Sequence, residues 1–193
     1  LRGGQHEENG QACLLEAVSV VRGVAWTDDP ATLNFPDLRN LNDAYDKYDA
    51  QRTAALVPLG EALIDLPDWS EERRSAWAKA ITLRAAREIL PIALRAVGLE
   101  ENARACEEAE TLEGARDSAR IAATAVGGAW AAVWETEAVA AAKAGNATRV
   151  AMAVSRVATN ASRVSARINA DVLDLVARIM LEEAERSKTQ KDQ

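Results

Sequence analysis

Apolar residues along this chain recur at steps of three and four, not two. No run of four or more β-branched or aromatic residues alternates convincingly with polar ones. The pattern predicts an all-α protein. The best strand candidate, 18–24, reads better as a helix end closed by Gly23. A first helix is expected from Gly10 to Arg22, burying Leu14, Ala17, Val18 and Val21. Residues 24–36 read as a loop, punctuated by Asp28-Asp29-Pro30 and Phe35-Pro36. A short helix over 36–45 gathers Leu38, Leu41 and Tyr45 on one side. Asp49 can cap a third helix carrying Leu56, Val57, Gly60, Leu63 and Ile64, which Pro58 should kink or divide. After a break at Leu66-Pro67-Asp68, Ser70 ahead of Glu71 and Glu72 marks a helix start: a capping hydroxyl with acids in the first turn. Trp77, Ile81, Ala85 and Ile89 face inward on that helix, Pro91 bends it, and Gly98 stops it. A short helix over 100–110 precedes alanine-dense helical sequence over 111–144, interrupted at Gly127-Gly128.

The last pattern is the clearest. Val150, Val154, Val157, Ala161, Val164, Ile168, Val172, Leu175 and Ile179 form a nearly continuous seam of coiled-coil type. A helix from Ala147 to Arg186 is about 60 Å long at 1.5 Å per residue. A compact domain of this size is only about 35 Å across. The helix therefore runs along an elongated bundle or projects and pairs with a second copy. The expected architecture is a helical bundle of about seven or eight helices. Residues 1–145 form an alanine-rich helical domain, 146–187 the long amphipathic helix, and 188–193 a disordered tail.

Composition narrows the class further. The 193 residues are 48% hydrophobic but only 4% aromatic, and about 40 are alanine. That length suits one domain with a core of its own. Small alanine side chains let helices approach closely, leaving Trp26, Trp69, Trp77, Trp130 and Trp134 to supply bulk. Two cysteines are too few for a disulfide scaffold. No apolar run approaches 18 residues, so no membrane span is expected. Residues 1–12 lack the apolar stretch of a signal peptide, which predicts a cytoplasmic protein.

Charge is unevenly placed on a chain of net charge −7. Residues 1–65 hold eleven acids against five bases. Residues 146–170 hold Arg149, Arg156, Arg163 and Arg167 and no acid, and the first three are seven apart on one helical stripe. That stripe reads as a docking strip for an acidic surface or phosphates, as a solvated face, or as internal pairing with the acidic N-terminal half. The overall acidity argues against general nucleic-acid binding.

One constellation carries candidate chemistry. His6 is the only histidine; Cys13 and Glu16 follow, then Asp28 and Asp29. Cys13 falls at the start of the first expected helix, where the helix dipole would lower its thiol pKa. Glu16 lies one turn on. His6, Cys13 and Glu16 compose a nucleophile, base and orienting acid; with Asp29 they compose a transition-metal set. The alternative is a small buried thiol, a helix-surface acid and an unengaged histidine. No zinc-type cysteine pair, phosphate loop, nucleophile elbow or HExxH motif occurs. Trp130 and Trp134, four apart, read as core packing, or as the lining of a ligand pocket or an interface anchor.

The opening His6…Gly10-Gln11-Ala12-Cys13-Leu14-Leu15-Glu16-Ala17-Val18, then Gly23 and Asp29-Pro30, resembles a group of uncharacterised actinobacterial and phage proteins. The likeness continues through Asn42-Asp43, Arg52…Leu56-Val57-Pro58-Leu59, Arg73-Arg74, Pro91…Leu94 and Gly98-Leu99, over roughly residues 4–145. Leu15 stands where that group has methionine, and Thr32 near a second cysteine of many members. The resemblance implies a phage or mobile-element setting, with no activity attached.

Three functions follow as expectations. The first is a non-enzymatic protein that engages a protein partner or itself through the 146–187 helix, with no cofactor. The second is a small-ligand or metal-dependent enzyme at His6, Cys13, Glu16 and Asp29. The third is a sponge for a nucleotide signal built from arginines and tryptophans.

Overall fold

A computed structural model describes residues 1, 12–45, 48–96, 98–114, 117, 149–150, 153 and 169–189. Among them the regular structure is helical, without strands. The elements are α1 (Leu14–Val21), α2 (Pro30–Leu33), α3 (Arg39–Ala44), α4 (Asp49–Leu63), a 3₁₀ turn (Leu66–Asp68), α5 (Glu71–Glu88), α6 (Leu90–Ala96), α7 (Glu100–Glu107) and α8 (Asn169–Thr189). The all-α bundle with a long C-terminal helix is what the three-four periodicity predicts.

α1 packs on α2, α3 and α4; α5 packs on α6 and α7; α8 lies against both α4 and α5 and joins the two halves. The core follows the apolar spacing closely. Leu38, Leu41 and Tyr45 are buried together, as are Trp77, Ile81, Ala85 and Ile89 along α5. Polar groups fix how the helices meet. The Leu14 backbone N–H donates to Asn42 Oδ1 at 3.3 Å, tying α1 to α3. Arg52 is fully buried; its Nε donates to the Asn42 carbonyl at 2.7 Å and its Nη1 pairs with Asp49. A buried cation is tolerable only with such partners.

α8 is stitched to the bundle along its length. Tyr45 Oη donates to Asp174 Oδ1 at 2.8 Å. Trp77 Nε1 donates to the Met180 carbonyl at 3.2 Å. Arg84 reaches Glu182 at 2.7 Å and Glu183 at 3.1 Å, while also holding Glu88. Val172, Val176, Ile179 and Met180 are buried against the same chain. Over 172–187 the seam is therefore occupied within one molecule.

Several expected boundaries move. α1 begins after Cys13 and ends at Val21, which is exposed rather than buried. The loop over 24–36 contains α2, because the Asp29 carboxylate accepts the Ala31 and Thr32 N–H groups ahead of Pro30. α4 continues through Pro58 as one helix. At Pro91 the chain divides rather than bends: α5 stops at Glu88 and α6 starts at Leu90. Gly23 and Gly98 do end segments, at φ +66° and +81°, where a side chain would be strained. Residues 188 and 189, expected in the tail, belong to α8, and Ser187 is buried with its hydroxyl donating to the Glu183 carbonyl at 2.8 Å. The alanine-dense stretch with Trp130 and Trp134 lies outside the described residues.

Candidate functional site

Cys13 and Glu16 do meet, but in a capping arrangement. Cys13 is the N-cap of α1, and the Glu16 carboxylate turns back to accept the Cys13 backbone N–H at 2.6 Å. This is the capping-box geometry with a cysteine in the serine position. Cys13 is 3% exposed and Glu16 fully buried. Burial pushes the Cys13 thiol up to about 11, and the Glu16 charge adds to the rise; N–H groups of Glu16 and Leu15 oppose it. The expected lowering by the helix N-terminus is thus overturned. A dipole contributes roughly 0.3–1 kcal/mol at a helix end, whereas full burial shifts a thiol by whole pKa units. Cys106 is buried too and is also pushed up to about 11.

Asp29 is engaged elsewhere. It is exposed, caps α2, and accepts the Thr32 hydroxyl at 2.5 Å, which holds its carboxyl below the usual range. Among the described residues no three histidine, cysteine, aspartate or glutamate side chains are grouped to hold a metal. His6 lies outside the described residues, as do Arg156, Arg163 and Arg167. Arg149 is described and exposed.

Two concavities border α4. A cleft of about 540 Å³ between α4 and α8 is lined by Gln51, Ala54, Asp171, Asp174, Arg178 and Leu181, among others. Asp174 is committed there to the Tyr45 phenol, whose pKa burial and Asp174 both raise. A second groove of about 210 Å³ lies between α1 and α4, where Leu1, Ala17, Val18, Val21, Val57 and Ile64 supply an apolar lining and Glu61 is the one charged side chain among the described residues. Gly60 allows the close approach beneath it: a Cβ there would meet Leu14 Cδ1 at 3.0 Å. Of the lining residues, Val21 and Val57 are 74% and 37% exposed.

A third feature went unnoticed in the sequence. The Arg73 guanidinium lies 3.6 Å over the Trp69 ring, and Trp69 meets Trp77 edge-on at 6.0 Å. Trp69 and Arg73 are four apart across a helix start, the spacing that lets such a pair stack; that spacing was the available signal.

No family profile, no curated protein and no solved structure is significantly similar to this chain. Among the described residues no helix is long and apolar enough to cross a membrane.

Proposed function

We propose that the protein is a non-enzymatic interaction module that receives a basic, apolar-faced helix of a partner protein in the α1–α4 groove. The observation that carries this reading is a concave apolar floor lined in part by two exposed valines, Val21 of α1 and Val57 of α4. Contiguous exposed apolar surface marks interaction sites, and a groove between helices accepts a helix by anchors one turn apart. Glu61 on the groove and the eleven acids against five bases in residues 1–65 favour lysines and arginines beside those anchors. The resemblance to phage and actinobacterial proteins supports a host or defence protein as partner. The surface moves away from the C-terminal helix, because the 172–187 seam is covered in cis. The enzymatic reading has less support: Cys13 is a buried, protonated thiol and Glu16 serves its backbone.

The test uses the full chain and two helical peptides, each with a leucine seam, one flanked by lysine and one by glutamate. The lysine peptide should bind, the glutamate peptide about tenfold or more weakly. Val21→Asp with Val57→Asp should abolish binding without lowering Tm, since both side chains face solvent. Undiminished binding by the double variant contradicts the proposal. So does light scattering that finds the groove filled by a second copy, with the variant monomeric.

A further inference from the structure

Four buried side-chain polar atoms among the described residues lack any hydrogen-bond partner: Asp65 Oδ1, Trp69 Nε1, Arg73 Nε and Arg73 Nη2. They belong to three residues in one turn-to-helix corner. Asp65 precedes the 3₁₀ turn, Trp69 closes it, and Arg73 is the third residue of α5. Ser70 caps α5 by accepting the Arg73 N–H at 3.2 Å, and the Trp69 carbonyl accepts Arg74 Nη1. Buried polar groups are satisfied in the great majority of cases, and a charged orphan is the costliest exception.

The identity of the orphans defines what is missing. The Nε and Nη2 atoms form the edge of a guanidinium that grips an oxyanion with two parallel bonds. Arg39 shows that grip in this same chain, holding Asp37 through Nε and Nη2 at 2.9 and 2.8 Å. On Arg73 the corresponding edge is empty-handed. Trp69, 3% exposed and stacked against that guanidinium 3.6 Å from its ring centroid, carries a third partnerless N–H. Asp65 Oδ1 is an acceptor, and it would repel an oxyanion that carries no proton. Arg73 and Asp65 are each partly exposed, so the corner borders solvent. Burial holds the Arg73 guanidinium below its usual range, opposed by the Asp65 charge.

We propose that Arg73, Trp69 and Asp65 form a binding site for inorganic hydrogen phosphate. Its oxygens accept from the Arg73 edge and the Trp69 indole, and its P–OH donates to Asp65 Oδ1. Inorganic phosphate retains a proton at neutral pH. Sulfate has none, and a phosphomonoester loses its last with a pKa of about 6. A site that needs the ligand's proton rejects the analogue that lacks it.

The experiment follows the Trp69 indole N–H by NMR in the full-length protein, assigned by its loss in Trp69→Phe. Titrants are inorganic phosphate, sulfate and adenosine monophosphate at pH 7.5. Phosphate should shift this resonance saturably, with sulfate and the monophosphate roughly tenfold or more weaker. The monophosphate should gain affinity at pH 5.5, where it recovers its proton. Asp65→Asn, which removes the repulsion, should bring sulfate up to the level of phosphate; Arg73→Lys should weaken phosphate about tenfold with an unchanged circular dichroism spectrum. No response to phosphate overturns the proposal. Equal response to phosphate and sulfate in the unmodified protein overturns it as well.

Discussion

The Glu16 carboxylate decides how the first helix begins. It accepts the buried Cys13 N–H, so Glu16→Ala leaves that donor unpaired and should cost about 1–3 kcal/mol in urea unfolding. Glu16→Gln keeps an acceptor and should cost less; equal losses would contradict the capping role. The thiols give a pH signature. Cys13 and Cys106 bind their protons more tightly folded, at about 11, than at the ordinary value of 9.0. The unfolded chain sheds those protons first as pH rises. Their contribution is complete below pH 9 and declines between 9 and about 11. The urea midpoint should fall across that window, and Cys13→Ala with Cys106→Ala should flatten the slope. That Cys13 and Glu16 meet was legible from their spacing of three. The direction of the thiol shift was not, because it depends on how much of the bundle covers Cys13, and sequence spacing carries no burial.

At the scale of elements, α4 carries Pro58 in its interior. Proline lacks the N–H that would bond the Ala54 carbonyl, at a cost of about 3 kcal/mol in a helix interior. Pro58→Ala should therefore raise Tm; a fall would mean that the ring's own packing outweighs the lost bond. The α5–α8 contact is electrostatic at its end. Arg84 holds Glu182, and its hydrogen bond keeps that carboxyl below the usual range. A carboxyl whose folded pKa is lowered adds stability above its unfolded value near 4.5 and loses it as pH falls further. Thermal melts below pH 4.5 should show this loss, and Arg84→Gln should remove it. Helix starts with a side-chain cap, such as Ser70, were readable because the cap is local. The short α2 was missed because four residues hold no period; only the Asp29-Pro30 pair announced it.

At the scale of the whole molecule, the seam in the last helix showed that one face must be covered. It did not show by what. Periodicity is the same whether a helix meets its own bundle or a second copy. The answer comes from pairs far apart in sequence: Tyr45 with Asp174, Trp77 with Met180, Arg84 with Glu182. Removing α8 would uncover Tyr45 and Trp77, so a chain ending at residue 145 should lose near-ultraviolet dichroism. Such a truncation is a poor probe of self-association for that reason, and retained native dichroism would contradict the packing described. With α8 committed inward, the docking surface we propose is the α1–α4 groove, where Val21 and Val57 are exposed. The most direct measurement is hydrogen exchange of the α8 amides over a wide dilution series. Packing within one chain predicts protection that does not change with protein concentration. Protection that falls on dilution would contradict it, because α8 would then be covered by a second copy.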